Sequence, residues 1–287
     1  MKALVQIHSG EPSAEAAAQK ELLLFSNLAT LSSLLVALSG GIDSVYLAWA
    51  AQQSLGGRAL SVTAISPSYS AFDREQVDCF LRATGARHEF IESHELDNPR
   101  YRVNDSNRCY YCKDELFSRL DSLAADRHIH AVAYGVNADD TSDFRPGQRA
   151  AAEHRVLTPL LDVQLHKAEI RFLAQRARLP MWDRPASACL ASRLPYGTEV
   201  TPERLALVER GEAALRSLGF RQLRVRLHDS LARVEVAPDE LPRALSPRML
   251  AAISTSLKAA GFAYVTLDLE GYRQGSLNET LAKSAGT

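Results

Sequence analysis

Apolar residues fall in short, nearly continuous runs through the first part of the chain, and each run gives way to a stretch with helical spacing. Leu34-Leu35-Val36-Ala37-Leu38 has the length and composition of a buried parallel strand. Further strands are expected at 60–65, 88–91 and 129–134. One amphipathic helix is expected over 13–32, with Leu22, Leu23, Phe25, Leu28 and Leu31 on its apolar side. A second carries Val45, Leu47, Ala48 and Trp49, and a third carries Phe72, Val77, Phe80 and Leu81 and ends near Gly85. Two more are expected over 114–125 and over 167–177, the latter closed by Pro180. This alternation predicts an α/β fold on a doubly wound parallel sheet.

The pattern changes after about Pro185. A long helix is expected over 202–218, with Leu205, Val208, Ala213 and Leu215 inward. The segments 223–227 and 232–236 alternate strictly, with His228-Asp229-Ser230 as a hairpin turn, before a helix over 249–260 and a closing strand at 264–267. These elements predict a small α+β C-terminal domain over 186–287 beside a larger domain over 1–185. No low-complexity linker separates the two, so they are expected to pack closely.

Ligands of doubly wound sheets sit beyond the carboxyl ends of the strands. Three loops are expected there: Ser39-Gly40-Gly41-Ile42-Asp43-Ser44, Ser66-Pro67-Ser68 and Gly135-Val136-Asn137-Ala138-Asp139-Asp140. A strand that stops at Ser-Gly-Gly and restarts as a helix is suited to phosphate, because glycine admits the oxygens and helix N–H groups point at them. Ser39 and Ser44 add hydroxyls, and Asp43 suits a Mg²⁺ that screens the phosphates. The spacing lacks the lysine of a Walker loop and resembles the pyrophosphate loop of ATP pyrophosphatases, which implies ATP as the nucleotide. Asn137, Asp139 and Asp140 read as contacts to nucleotide or Mg²⁺, with a solvated turn as the alternative. Lys167, at a helix start, reads equally as a phosphate ligand or a surface lysine.

Cys109 and Cys112 form a Cys-x-x-Cys, which alone leaves half a zinc site, a redox pair and a cluster ligand pair open. Cys79 falls among apolar residues and reads as a packed thiol. Cys189 lies between Arg184 and Arg193 amid small residues, where guanidinium groups favour a nucleophilic thiolate. Arg224 and Arg226 share one face of a strand, with Glu235 on the next; a salt-bridged surface and a phosphate clamp both fit that spacing. Trp49, Trp182 and the histidines read as packing or surface residues, since no ligand spacing links the histidines.

The 287 residues carry a formal net charge of −1, and no basic tail is present, which counts against a nucleic-acid partner. No apolar run reaches membrane-spanning length, so no membrane partner is expected. His8, Glu11 and Glu15 interrupt any signal-peptide core after Lys2, so the chain is expected in the cytoplasm. Its 4 cysteines do not suggest a disulfide scaffold.

The loop at 39–44, Arg108-Cys-Tyr-Tyr-Cys-Lys113, Tyr134-Gly135-Val-Asn137-Ala-Asp-Asp140, Pro159-Leu160 with Lys167-Ala-Glu169-Ile-Arg171, and Pro185-Ala-Ser-Ala-Cys189-Leu-Ala-Ser-Arg193 occur in this order. In this the chain resembles the LarE family, ATP-dependent sulfur transferases of nickel-pincer nucleotide cofactor biosynthesis. The resemblance implies a substrate, pyridinium-3,5-biscarboxylic acid mononucleotide, whose carboxylate is adenylated by ATP with release of pyrophosphate. It implies that a thiolate at Cys189 displaces AMP, and that cleavage of the Cβ–S bond would leave a thiocarboxylate and dehydroalanine. By position it also implies that Arg193 and Glu212 serve sulfur transfer, and that Arg224, Arg226 and Glu235 lie around the substrate phosphate. Family members with three cysteines hold a [4Fe-4S] cluster and use added sulfide. Cys109, Cys112 and Cys189 supply that set here, with one iron left open. The family forms hexamers, so a homo-oligomer is implied. Three rivals share parts of this pattern. A tRNA 2-thiolation enzyme needs a basic surface, and an amidating synthetase of the NAD or GMP synthetase type leaves Cys189 unused. A nucleotide-binding module would release no pyrophosphate.

Overall fold

The computed structural model describes residues 13–142, 146–185 and 188–273. Lys2, His8 and Glu11, and Ala186 and Ser187 of the cysteine motif, lie outside the described residues. The first part runs α1 (Ala14–Ala29), β1 (Leu34–Ala37), α2 (Ile42–Leu55), β2 (Ala59–Ile65), α3 (Ala71–Thr84), β3 (His88–Glu92), α4 (Pro99–Arg102), α5 (Arg108–Asp126), β4 (Ala131–Tyr134), α6 (Pro146–Glu153), α7 (Pro159–Asp162) and α8 (Lys167–Arg176). The rest runs α9 (Pro202–Ser217), β5 (Leu223–His228), β6 (Leu231–Val236), α10 (Leu241–Ala244), α11 (Pro247–Ala260) and β7 (Tyr264–Leu267).

The first sheet is all parallel in the order β3-β2-β1-β4, the α/β arrangement that the alternation predicts. β1 is central and buried at every position, which explains why its sequence is a continuous apolar run. One face packs Leu24, Leu28, Val45, Phe80, Ile170 and Leu173, from α1, α2, α3 and α8. The other face packs Phe117, Leu120 and Ala150, from α5 and α6. Helices on both faces leave the carboxyl ends of the strands as the open rim.

Two expectations change. Leu22 and Leu23 are exposed, and α1 instead buries Ala17, Glu21, Leu24 and Leu28 at strict helical spacing. Glu21 is buried because Tyr46 donates to it at 2.7 Å and Arg176 pairs with it. The helix expected from 114 begins at Arg108, which puts Cys109 and Cys112 on its first turns.

In the second sheet β5 pairs antiparallel with β6, and β6 pairs parallel with β7. His228 pairs with Leu231, so the hairpin turn is only Asp229 and Ser230, with Asp229 left-handed at φ 53°. α9 and α11 cover this sheet through Leu205, Val208, Leu215, Ile253 and Leu257. The same core takes in Tyr101 from the first part of the chain, and Leu190, Ala191 and Leu194 beside Cys189. Among the described residues no helix is long and apolar enough to cross a membrane.

His88 on edge strand β3 contacts the Thr63 hydroxyl at 2.9 Å, and that hydroxyl donates to Leu38 O at 2.7 Å, so the imidazole is the donor. Burial pushes the His88 pKa down to about 4 from 6.5, against the opposing charges of Asp78 and Glu89. The unfolded chain therefore binds more protons between these values, and His88 costs stability as pH falls from 6.5 towards about 4. Urea midpoints at pH 7 and pH 5 are expected to converge more in a His88→Gln variant than in the parent chain.

Candidate active site

The 39–44 loop joins β1 to α2 and is closed by its two serines. Ser39 N donates to Ser44 Oγ at 3.1 Å, Ser44 Oγ donates to Gly41 O at 2.9 Å, and the two hydroxyls lie 3.1 Å apart. Among the described residues no side chain caps α2, so its first N–H groups can face an anion. Two glycines permit the packing. Gly40 is left-handed at φ +82°, and a Cβ there would meet Asp73 O at 2.8 Å. A Cβ on Gly135 would meet Ser44 N at 2.6 Å, so the end of β4 abuts the loop backbone.

Asp43 on the first turn of α2 receives Lys167 Nζ at 2.6 Å and Asn137 Nδ2 at 3.3 Å on one oxygen. Its other oxygen is buried without a hydrogen-bond partner among the described groups. Burial pushes the Asp43 carboxyl up, with Lys167 opposing. A buried carboxylate oxygen without a partner beside the 39–44 loop suits a Mg²⁺ ligand, so the chemistry of Asp43 fits that expectation. Asp139 is occupied differently. His166 Nδ1 and Lys167 N each lie 2.7 Å from it, and it stays below the usual carboxylate range, because these partners outweigh its burial. It thus anchors the start of α8 and aims Lys167 at Asp43. Asp140 accepts from Asn137 N at 3.1 Å and turns the loop.

Ser66, at the end of β2, donates to buried Glu95, which also accepts from Ser68 at 2.6 Å and Ser93 at 2.7 Å. Leu190 N donates to Ser68 O at 3.0 Å, which ties the cysteine turn to this loop. Cys112 and Cys189 pack on the same apolar cluster as Tyr101. Burial, then the charges of Glu95 and Cys189, push the Cys112 thiol well above the usual thiol range. Cys109 is exposed. Among the described residues no three His, Cys, Asp or Glu side chains converge on a single metal ion.

Arg108 was not among the expected site residues, although it opens the Cys-x-x-Cys motif. It is buried, lies 3.9 Å from Cys109 Sγ, and donates to Asn104 Oδ1 and to Ala191 O at 2.9 Å. Burial opposes its charge, but Cys189, Cys109 and Tyr101 raise its pKa further. Arg184, expected to favour a thiolate at Cys189, turns to the 39–44 loop instead, with Nη1 3.0 Å from Gly40 O and Nη2 on Asp73.

Arg193 is 2% exposed and Glu212 1%. Arg193 Nε and Nη2 donate to the two Glu212 oxygens at 2.7 and 3.0 Å, and Nη1 donates to Cys189 O at 2.9 Å and to Ala188 O. Arg216 adds a contact to Glu212 at 3.0 Å. Burial alone would raise the Glu212 carboxyl, yet Arg193, Arg224 and Arg216 hold it below its usual range. These two residues fix the backbone around Cys189.

Arg224, Arg226 and Glu235 are buried, so the salt bridge that the spacing allows is present but lies inside rather than on a sheet surface. Arg226 grips Glu235 with two bonds of 2.9 Å and donates to Ser192 O at 2.7 Å, directly below the cysteine turn. Arg224 lies over the Tyr272 ring at 5.0 Å, and burial with neighbouring Arg193 pushes its pKa down to about 10.

No protein-family model matches the chain. The chain is 43% identical over 253 residues to an uncharacterized protein of Synechocystis, covering 88% of this chain and 94% of the relative. It is 36% identical over 273 residues to the pyridinium-3,5-bisthiocarboxylic acid mononucleotide synthase of Lactiplantibacillus plantarum, covering 93% of this chain and 96% of that protein. An uncharacterized protein of Methanocaldococcus jannaschii is 31% identical over 170 residues, 59% of this chain.

Removing one partner of the Arg193–Glu212 pair leaves a buried charge uncompensated. Glu212→Leu is expected to cost about 3–5 kcal/mol in urea unfolding. The double variant Arg193→Met, Glu212→Leu is expected to regain much of that loss.

Proposed function

Because the chain belongs to the LarE family of pyridinium-3,5-bisthiocarboxylic acid mononucleotide synthases, we propose that it is an ATP-dependent sulfur transferase acting on the nickel-pincer precursor, pyridinium-3,5-biscarboxylic acid mononucleotide. The observation that carries this reading is the backbone bond from Leu190 N to Ser68 O. It sets Cys189 beside the rim on which the pyrophosphate loop also opens.

A substrate carboxylate attacks the α-phosphorus of ATP, the bond to the β-phosphate bridging oxygen breaks, and pyrophosphate leaves. Ser39, Ser44 and the N–H groups at Gly40 and Gly41 bind the phosphates, and Asn137 and Lys167 orient Asp43. Asp43 would hold a Mg²⁺, which would screen the charge of the leaving pyrophosphate. Arg224 and Arg226 hold the phosphate of the substrate mononucleotide, with Glu235 fixing the Arg226 fork. Arg193 and Glu212 keep the cysteine turn in place while sulfur reaches the acyl carbon and the C–O bond to AMP breaks.

Cys109, Cys112 and Cys189 are soft donors of the kind a [4Fe-4S] cluster would take, and Arg108, 3.9 Å from Cys109 Sγ, would offset its negative charge. Held by these three thiolates, such a cluster would supply sulfide-level sulfur for repeated turnover. Cys189 would then be a ligand rather than the sulfur donated. We place the reaction in the cytoplasm and expect a homo-oligomer.

The test begins with iron and acid-labile sulfide on chain purified without oxygen, where about four of each per chain are expected. Cys109→Ala is expected to lose the iron and keep ATP binding; unchanged iron ends the cluster assignment. Substrate-dependent pyrophosphate release and a thiocarboxylate product, read by mass spectrometry, check the reaction. Iron-free chain that makes product and carries dehydroalanine at 189 would assign the sulfur to Cys189 itself.

A further inference from the structure

The first turn of α3 touches both halves of the site, yet no motif in the sequence includes it. Ser70 caps this turn, accepting from Asp73 N at 3.0 Å and donating to Asp73 Oδ2 at 2.6 Å. The other Asp73 oxygen receives Arg184, whose Nη1 donates to Gly40 O at 3.0 Å. Asp73 O lies 2.8 Å from where a Cβ on Gly40 would be, so the left-handed glycine of the pyrophosphate loop packs directly on α3. On the other side Ala71 N donates to Glu209 Oε1 on α9 at 2.6 Å.

Phe72 stands at the junction. The guanidinium of Arg184 lies over its ring at 4.5 Å from the centroid, and that of Arg216 lies over it at 4.1 Å. Arg216 donates to Glu212 at 3.0 Å, Glu212 holds Arg193, and Arg193 donates to Cys189 O at 2.9 Å. Contacts therefore run unbroken from Gly40 through Arg184, Phe72, Arg216, Glu212 and Arg193 to Cys189. The aromatic ring is the one neutral member between charged groups. Its face attracts both cations at once, which an aliphatic side chain of equal bulk does not.

We infer that Phe72 is a positioning residue that couples the pyrophosphate loop to the cysteine turn, so that nucleotide bound at the loop changes the reactivity of the Cys189 thiol. This rests on the ATP-binding part of the function proposed above. The loop cannot shift against α3 without moving Arg184, and Arg184 shares its ring with the group that steadies Glu212. Coupling between two sites is typically worth about five-fold or more in affinity at one when the other is filled.

The test uses the full chain stripped of iron, with Mg²⁺ and the non-hydrolysable analogue α,β-methylene ATP. Binding is measured by calorimetry, and alkylation of Cys189 by iodoacetamide is followed peptide by peptide in the mass spectrometer. In the parent chain, saturating analogue is expected to change the Cys189 rate about five-fold or more. Phe72→Leu is expected to bind analogue with near-parental affinity and to lose this effect, and Phe72→Tyr to restore it. Arg216→Gln, which leaves the ring in place and removes one cation, is expected to lose it as well. A nucleotide effect undiminished in both Phe72→Leu and Arg216→Gln overturns the inference, as does a parent chain that binds analogue with no change at Cys189. A parent chain that binds no analogue overturns the ATP-dependent reading, and the coupling with it.

Discussion

Two opposite charges almost entirely out of water hold the rest of this site in place. Arg193 and Glu212 meet through both nitrogens of a fork and both oxygens of a carboxylate. Such a pair gains little net stability, because each ion gave up its hydration. What it supplies is geometry. A guanidinium fixed by Glu212 has one nitrogen left over, and that nitrogen grips the carbonyls of Ala188 and Cys189. The cysteine turn is therefore set by a side chain that cannot rotate without stranding a charge. Arg226, itself fixed by Glu235, supports the same turn at Ser192.

The sheet beneath is simpler and was easier to read. β1 and β2 are largely buried parallel strands, so composition alone marked them, and Gly40 and Gly135 follow from the close approach of the 39–44 loop to α3 and to the end of β4. Helix faces were harder where a polar residue is buried. Glu21 counts as polar in any pattern, yet it lies inside with Tyr46 and Arg176, and this turned the reading of α1 towards Leu22 and Leu23.

The site was legible where one short segment carries the chemistry and illegible where distant segments meet. Asp43 and the serines of the loop were found because they adjoin the glycines. Arg108, Glu95 and Asp73 were not, since their partners lie 83, 27 and 111 residues away in sequence. Spacing along a strand likewise put Arg224 and Arg226 on one face, but it could not tell that the 190–193 turn covers that face. A buried arginine and an exposed one have the same letter, and only the fold distinguishes them.

Tyr101 has a consequence for how this protein can be rearranged. It is 1% exposed and belongs to the core of the second sheet, although it precedes that sheet by more than a hundred residues. Its neighbour Asn104 spends its amide on the carbonyls of Pro195 and Thr198. The chain is thus stitched backwards as well as forwards, and the C-terminal third is no cassette. Recombination between two relatives that joined one parent's first part to the other's last would have to match Tyr101 and Asn104 to the incoming core. A change on either side of the stitch is therefore constrained by the other, and an exchange that keeps this core intact moves the two sheets as one piece.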